Sequence, residues 1–141
     1  MILLDTDHLS IVLTRRFTGH ENLVERLRGN GGAIAIPVIC VEEQCKGWLA
    51  QINRLRDVHK QIPAYERFRA LFDFFKQWDI QPFDAASADA FNDFRKQRIR
   101  VGTQDLKIGA IAVTQGALLL SANLRDFRQI PGLRVENWLE A

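Results

Sequence analysis

Met1-Ile2-Leu3-Leu4-Asp5-Thr6-Asp7 opens the chain with a short apolar run cut off by an acid, a hydroxyl and a second acid. A run this short, ended by residues that favour helix caps, reads as a buried strand leading into a helix over about Asp7 to Arg15. Working outward, the same alternation repeats. A second helix fits Glu21–Arg28, with Leu23, Val24 and Leu27 on one stripe, and Gly29-Asn30-Gly31-Gly32 stops it. Ala33–Ile36 is a second strand, and Pro37 opens a helix to about Arg56, whose Val41, Cys45, Trp48, Leu49, Ile52 and Leu55 recur at helical spacing. Pro63 marks a further helix start, carrying the stripe Phe68, Leu71, Phe72, Phe75 and Trp78, which suits a core or a dimer surface. Ile80–Phe83 is a short extended piece, and Asp84 is a cap for a helix over 85–99. The helix from about Gln104 to Gln115 is apolar nearly all round, so it is buried on more than one side. Ala117–Leu120 makes another strand and Leu133–Val135 a weak last one. Strands alternating with helices predict one α/β domain over 1–141, a three-layer α/β/α sandwich with a mainly parallel central sheet.

Composition narrows the class. With 141 residues, 47% hydrophobic and 26% charged, the chain can bury one core, and disordered, collagen-like and disulfide-scaffold readings fall away. Nineteen basic against 17 acidic residues give a net charge of +2, which excludes a strongly basic coat but not a local basic rim. Cys40 and Cys45 lack C-x-x-C spacing and read as reduced, mostly buried thiols. No basic stretch precedes the first apolar run, so neither a signal peptide nor a membrane span is expected, and the cytoplasm is the expected location.

The acids carry the functional signal. In an open parallel sheet, sites form beyond the carboxyl ends of the strands. This chain places Asp5 and Asp7 after the first strand, Glu42 and Glu43 early in the helix after the second, Asp105 in the first turn of the buried helix, and Asn123 and Asp126 after the 117–120 strand. Crowded carboxylates repel one another and need an offsetting charge. With only His8, His20 and His59 and no thiolate cluster, an all-oxygen site points to a hard cation, Mg²⁺ or Mn²⁺. Such an ion keeps open positions for a phosphate oxygen and an attacking water, the arrangement of phosphodiester hydrolysis. Each acid also has a plainer reading. Asp5 fits a helix cap; Asp7 fits a first-turn dipole partner or supporting residue better than a ligand; Asp105 fits helix-end electrostatics; Asp126 fits a turn-ending residue as well as a ligand. Glu42 and Glu43 point about 100° apart, so one of the two faces the site. Glu43 is preferred because Gly47, one turn on, would let other backbone approach that face, which leaves Glu42 as a solvated flank.

The stretches Leu3-Leu4-Asp5-Thr6-Asp7, Glu43-Gln44-Cys45-Lys46-Gly47, Gly102-Thr103-Gln104-Asp105-Leu106-Lys107-Ile108 and Ser121-Ala122-Asn123-Leu124-Arg125-Asp126-Phe127 resemble the PIN domain, and within it the VapC-type toxins of bacterial toxin–antitoxin pairs. The ending Ile130–Trp138 is similar to theirs too. The resemblance implies a PIN-like fold and a Mg²⁺- or Mn²⁺-dependent endoribonuclease that hydrolyses RNA with a metal-activated water, leaving 5′-phosphate and 3′-hydroxyl ends. It makes Asp5, Glu43 and Asp105 the metal-binding acids and carries a fourth acidic position to Asp126, with Asn123 as the alternative. Thr6, Thr103 and Ser121 match small hydroxyl positions for site water or phosphate. Asp7 departs from the family's usual Asn. No histidine nucleophile is needed, so His8 reads as a helix-surface or packing residue. A homodimer and a VapB-like antitoxin, laid over the active-site groove, are implied as well.

Of the 19 basic residues 14 are arginine, suited to bidentate phosphate contacts. Arg95, Lys96, Arg98 and Arg100 precede the Asp105 segment, Arg125 and Arg128 flank Asp126, and Arg15 and Arg16 end the first helix. They form either a rim for RNA or ordinary solvated faces, and Arg125 favours RNA or antitoxin contact. Two other functions compete. Asp5-Thr6-Asp7 superficially fits a haloacid-dehalogenase-type phosphatase, although 141 residues is short and Lys107 is the only lysine near a later acid motif. A PIN-like module that binds RNA or protein without cutting is the other, against which the intact Asp5, Glu43 and Asp105 set argues.

Overall fold

β1 (Ile2–Leu4) runs through the middle of a sheet whose other strands are β2 (Ile34–Pro37), β3 (Asp79–Gln81), β4 (Leu118–Leu120) and β5 (Arg134–Glu136). The strand order is β3-β2-β1-β4-β5, and every neighbouring pair is parallel. The α/β architecture read from the sequence is therefore present. The computed structural model describes residues 1–14 and 19–139; the expected placement of Arg15 and Arg16 lies outside them.

Two helices, α1 (Thr6–Leu13) and α2 (His20–Gly29), connect β1 to β2, and α3 (Val38–Arg54) and α4 (Val58–Phe75) connect β2 to β3. Then α5 (Ala85–Lys96) and α6 (Thr103–Thr114) lead to β4, and the single turn α7 (Leu124–Phe127) leads to β5. The sheet grows outward from β1 in one direction and then resumes on its other side with β4. Right-handed crossovers in opposite directions place the two groups of helices on opposite faces. The reversal also opens a crevice between the carboxyl ends of β1 and β4. Leu4 pairs with Leu120 across it, so Asp5 and Ser121 emerge side by side.

Strand residues Leu3, Leu4, Ile36, Leu119 and Leu120 are wholly buried, as are Leu106, Ile108 and Ile111 of α6, which fits the all-round apolar reading of that helix. Gly109 leaves room there: a Cβ would lie 2.5 Å from Ile130 Cδ1, the end of a buried side chain that would have to shift.

Three elements stand out against the sequence expectation. The helix assigned to Pro63 begins at Val58, because the Asp57 carboxylate accepts the His59 N–H at 2.9 Å and starts it earlier. Pro63 sits inside it, where it forgoes the bond to the His59 carbonyl. The 85–99 helix stops at Lys96, because Arg98 adopts φ +61° and the Arg98 and Ile99 N–H groups close back onto Arg95 and Phe94, a Schellman ending. The third difference is α7, a turn too short to carry a periodic signal. The aromatic stripe of α4 splits: Phe75 is buried, Phe68 and Phe72 stack edge-to-face at 5.1 Å, and Phe72 is 46% exposed.

Candidate active site

Asp5 caps α1, its Oδ1 accepting the Thr6 N–H at 2.7 Å, and it is also the centre of the crevice. The cap reading holds, and the same side chain stands at the crevice. Its Oδ2 accepts the Ser121 hydroxyl at 2.7 Å, and the Cys40 Sγ lies 3.9 Å from Oδ1. Burial pushes the Asp5 carboxyl up to about 6; the Ser121 bond opposes this, and the charges of Asp7 and Asp105 add to it. Burial likewise drives the Cys40 thiol well above its ordinary value. Cys40 lies one turn before Glu43 on α3, and that i,i+3 spacing is the signal that would have placed the thiol in the site.

Glu43 is raised by burial first and by the charge of Asp105 second. Its Oε1 is buried without a hydrogen-bond partner, as is Thr6 Oγ1. The Thr6 hydroxyl lies near enough to hold Glu43 down a little, without the geometry of a bond between them. Glu42 stands outside on the rim, exposed, its Oε1 accepting Gln104 Nε2 at 2.8 Å and its carboxyl lowered chiefly by that bond. The argument from Gly47 fails, however: nothing lies within 4 Å of where its Cβ would be. Glu43 faces the other acids because of its own place on α3, not because backbone packs at Gly47.

Asp105, in the first turn of α6, is raised by burial, with Asn123 opposing and Asp126 and Asp7 reinforcing. Asn123 Nδ2 donates to Asp105 Oδ2 at 3.0 Å and to Asp126 Oδ2 at 3.1 Å, so Asn123 bridges the third and fourth acids and both sequence alternatives sit in the site. Asp7 Oδ2 accepts the Ala122 N–H at 2.9 Å and lies 3.3 Å from Ser121 Oγ, while its Oδ1 meets His8 Nδ1 at 2.6 Å. Burial alone would raise Asp7, but the bonds from His8 and Ala122 hold it below its ordinary value.

Asp5, Asp7, Asp105, Ser121, Asn123 and Asp126 thus share one hydrogen-bond network, and Glu43 joins it through space. Among the described residues no three His, Cys, Asp or Glu side chains are already drawn into metal-ligand spacing. Thr103 does not join: its exposed hydroxyl accepts Arg95 at 2.7 Å, which brings that arginine to the start of α6. Arg125 is exposed beside Asp126. His8 is fully buried, the packing alternative of its sequence reading.

With this geometry in place, the ribonuclease VapC1 of Rickettsia felis is 34% identical over 110 residues, covering 74% of this chain and 75% of its own length. The chain belongs to the VapC family. No protein-family model matches it. DNA-bound VapBC from Salmonella typhimurium shares the fold with a TM-score of 0.74, at 24% identity over 97% of both chains. A toxin–antitoxin complex from Klebsiella pneumoniae does so with a TM-score of 0.69, at 21% identity over 98% of both. VapC membership displaces the phosphatase reading. No helix among the described residues is long and apolar enough to cross a membrane.

Proposed function

We propose that this VapC-family chain is a Mg²⁺- or Mn²⁺-dependent endoribonuclease, the toxin of a VapBC-type pair acting in the cytoplasm. One observation carries the reading: Asp5, Glu43 and Asp105 are all raised by burial and by neighbouring acids, and an oxygen of Glu43 is buried with no partner. Such a set is short of positive charge and offers only hard oxygen donors, which fits a divalent cation. Asp5, Glu43 and Asp105 would hold it. Bound there, it supplies charge neutralisation for the phosphate and a lowered pKa for the attacking water. Ser121 orients Asp5, and Asn123 orients Asp105 and holds Asp126 beside it. Arg125, exposed beside Asp126, and Arg95, bonded to Thr103 at the start of α6, offer charge suited to phosphate.

The VapC ribonucleases and toxin–antitoxin complexes similar to this chain support the nuclease and a VapB-like partner. A groove of about 300 Å³ between α1, α3 and α4, lined by Leu13, Gln44, Trp48, Arg67, Leu71 and Phe74, suits a peptide segment of that antitoxin. An antitoxin arginine reaching the acids would inhibit by charge-assisted pairing. The outward face of α4, with Val58, Ile62, Tyr65 and Phe72 exposed, suits the proposed homodimer.

Purified protein on total RNA with Mn²⁺ is expected to give discrete cuts with 5′-phosphate and 3′-hydroxyl ends, abolished by EDTA. Undiminished cutting in EDTA, or binding without cutting, would overturn the reading. Glu43→Gln is expected to slow cleavage about a hundredfold, whereas Glu42→Gln, on the rim, stays within about twofold; single-turnover rates separate the two. Arg125→Ala is expected to raise KM about fivefold with kcat retained, and to flatten the salt dependence of KM, because an exposed phosphate contact adds binding rather than chemistry.

A further inference from the structure

The strongest unexplained feature lies behind the acids. His8 is fully buried, and its two ring nitrogens are both engaged: Nδ1 with Asp7 Oδ1 at 2.6 Å, and Nε2 with the backbone N–H of Trp138 at 3.0 Å. A backbone N–H can only donate, so Nε2 accepts and the ring proton sits on Nδ1, facing Asp7. Trp138 is fixed further by Arg26, whose guanidinium carbon lies 4.2 Å from the ring centroid, and by its own Nε1–H donated to Glu136 at 2.7 Å. On the other side, the second oxygen of Asp7 takes the Ala122 N–H and lies beside Ser121, the hydroxyl that holds Asp5. The Asn123 N–H in turn donates to Ser121 Oγ at 3.0 Å.

We propose that Asp7 is a positioning residue, the middle of a Trp138–His8–Asp7 relay that pins the 121–123 loop, and with it Asp5 and Asp105, to the segment that follows β5. The proposal deepens the nuclease reading of the same site. Both Asp7 oxygens accept hydrogen bonds within the chain, which is what a positioning residue requires. The relay also gives a carboxylate an advantage over asparagine beside His8 in this chain. An asparagine has one acceptor and one donor end. Turned to accept from Ala122, it offers its NH₂ to His8 Nδ1; the ring must then carry its proton on Nε2, which confronts the Trp138 N–H with a second donor. Turned the other way, its NH₂ confronts the Ala122 N–H. No orientation of Asn keeps all three bonds within the chain, whereas the carboxylate does.

The test uses the whole protein, free of metal first. Long-range ¹⁵N correlation of the wild-type imidazole is expected to show Nδ1 protonated and Nε2 bare; the opposite tautomer overturns the relay. In both Asp7→Asn and His8→Phe, amide exchange is expected to quicken roughly five- to tenfold at Trp138 and also at Ala122, the factor one lost hydrogen bond gives. The Ala122 response in His8→Phe decides the matter, since the ring does not bond Ala122. Acceleration confined to Trp138 overturns the coupling. Under Mn²⁺ titration, Asp7→Asn is expected to keep the binding stoichiometry and lose about tenfold in affinity, with kcat falling and KM unchanged; a lost metal equivalent would make Asp7 a ligand and overturn the assignment. A wild-type protein that binds no Mn²⁺ and cuts no RNA fells the nuclease reading, and the tautomer and exchange data still judge the relay.

Discussion

Asp5→Asn is expected to lower RNA cleavage by at least about a thousandfold while leaving the fold intact and, free of metal at pH 7, no less stable than the parent. The substitution keeps shape. Its carbonyl can still accept the Thr6 N–H, and its NH₂ would face Ser121, whose hydroxyl proton has a second acceptor in Asp7 Oδ2 at 3.3 Å. What disappears is a negative charge that burial, Asp7 and Asp105 all disfavour. On this expectation, the acid at the centre of the site carries a charge that the metal-free fold disfavours. Cleavage rate and thermal melting, measured on the same preparation, check both halves. Near-parental cleavage sinks the site assignment; a collapsed melt sinks the account of the strain.

The second expectation concerns pH and metal together. Without metal, stability rises as pH falls from 7.5 towards 5. Asp5 sits at about 6 in the folded protein against 3.8 unfolded, so below 6 the folded state binds its proton first and gains. The gain is complete only below the unfolded value and is lost as pH climbs through 6; in full it amounts to about 3 kcal/mol. Glu43 and Asp105, also raised, push the same way. Asp7 is lowered, so it acts oppositely, and only on further acidification through its own low range. Saturating Mn²⁺ reverses the slope, because the ion requires the ionised carboxylates, and at a hundred times its Kd it adds about 2.7 kcal/mol near neutrality. Melting curves at pH 5.5 and 7.5, with EDTA and with Mn²⁺, should therefore cross. Parallel pH trends in the two series would contradict a metal held by these acids.

What the sequence disclosed and what it hid follow from distance along the chain. Leu4-Asp5 is a sharp local step from apolar to charged, and such steps mark strand ends legibly; so does an acid at the mouth of a helix as apolar as α6. Gly47 points to Glu43, yet that glycine stands open, so the residue lies among the acids for a reason its neighbours in sequence do not carry. Asp57 began α4 ahead of the more conspicuous Pro63, because a side-chain cap satisfies a free N–H whereas proline merely tolerates the position. The bonds that join His8 to Trp138, 130 residues apart, and Asn123 to Asp105, 18 apart, leave no periodic trace, since tertiary geometry alone creates them.

The pairing of β1 with β4 also bears on when this chain becomes complete as it is made. Asp5 leaves the ribosome well before the hydroxyl that steadies it, which belongs to Ser121, 116 residues later. At roughly 5–20 residues per second, a nascent chain carries its first acid for several seconds or more before the loop that orients it exists. The same topology that hides β1 in the middle of the sheet leaves the growing chain unable to assemble its acids until β4 and the loop after it have been made.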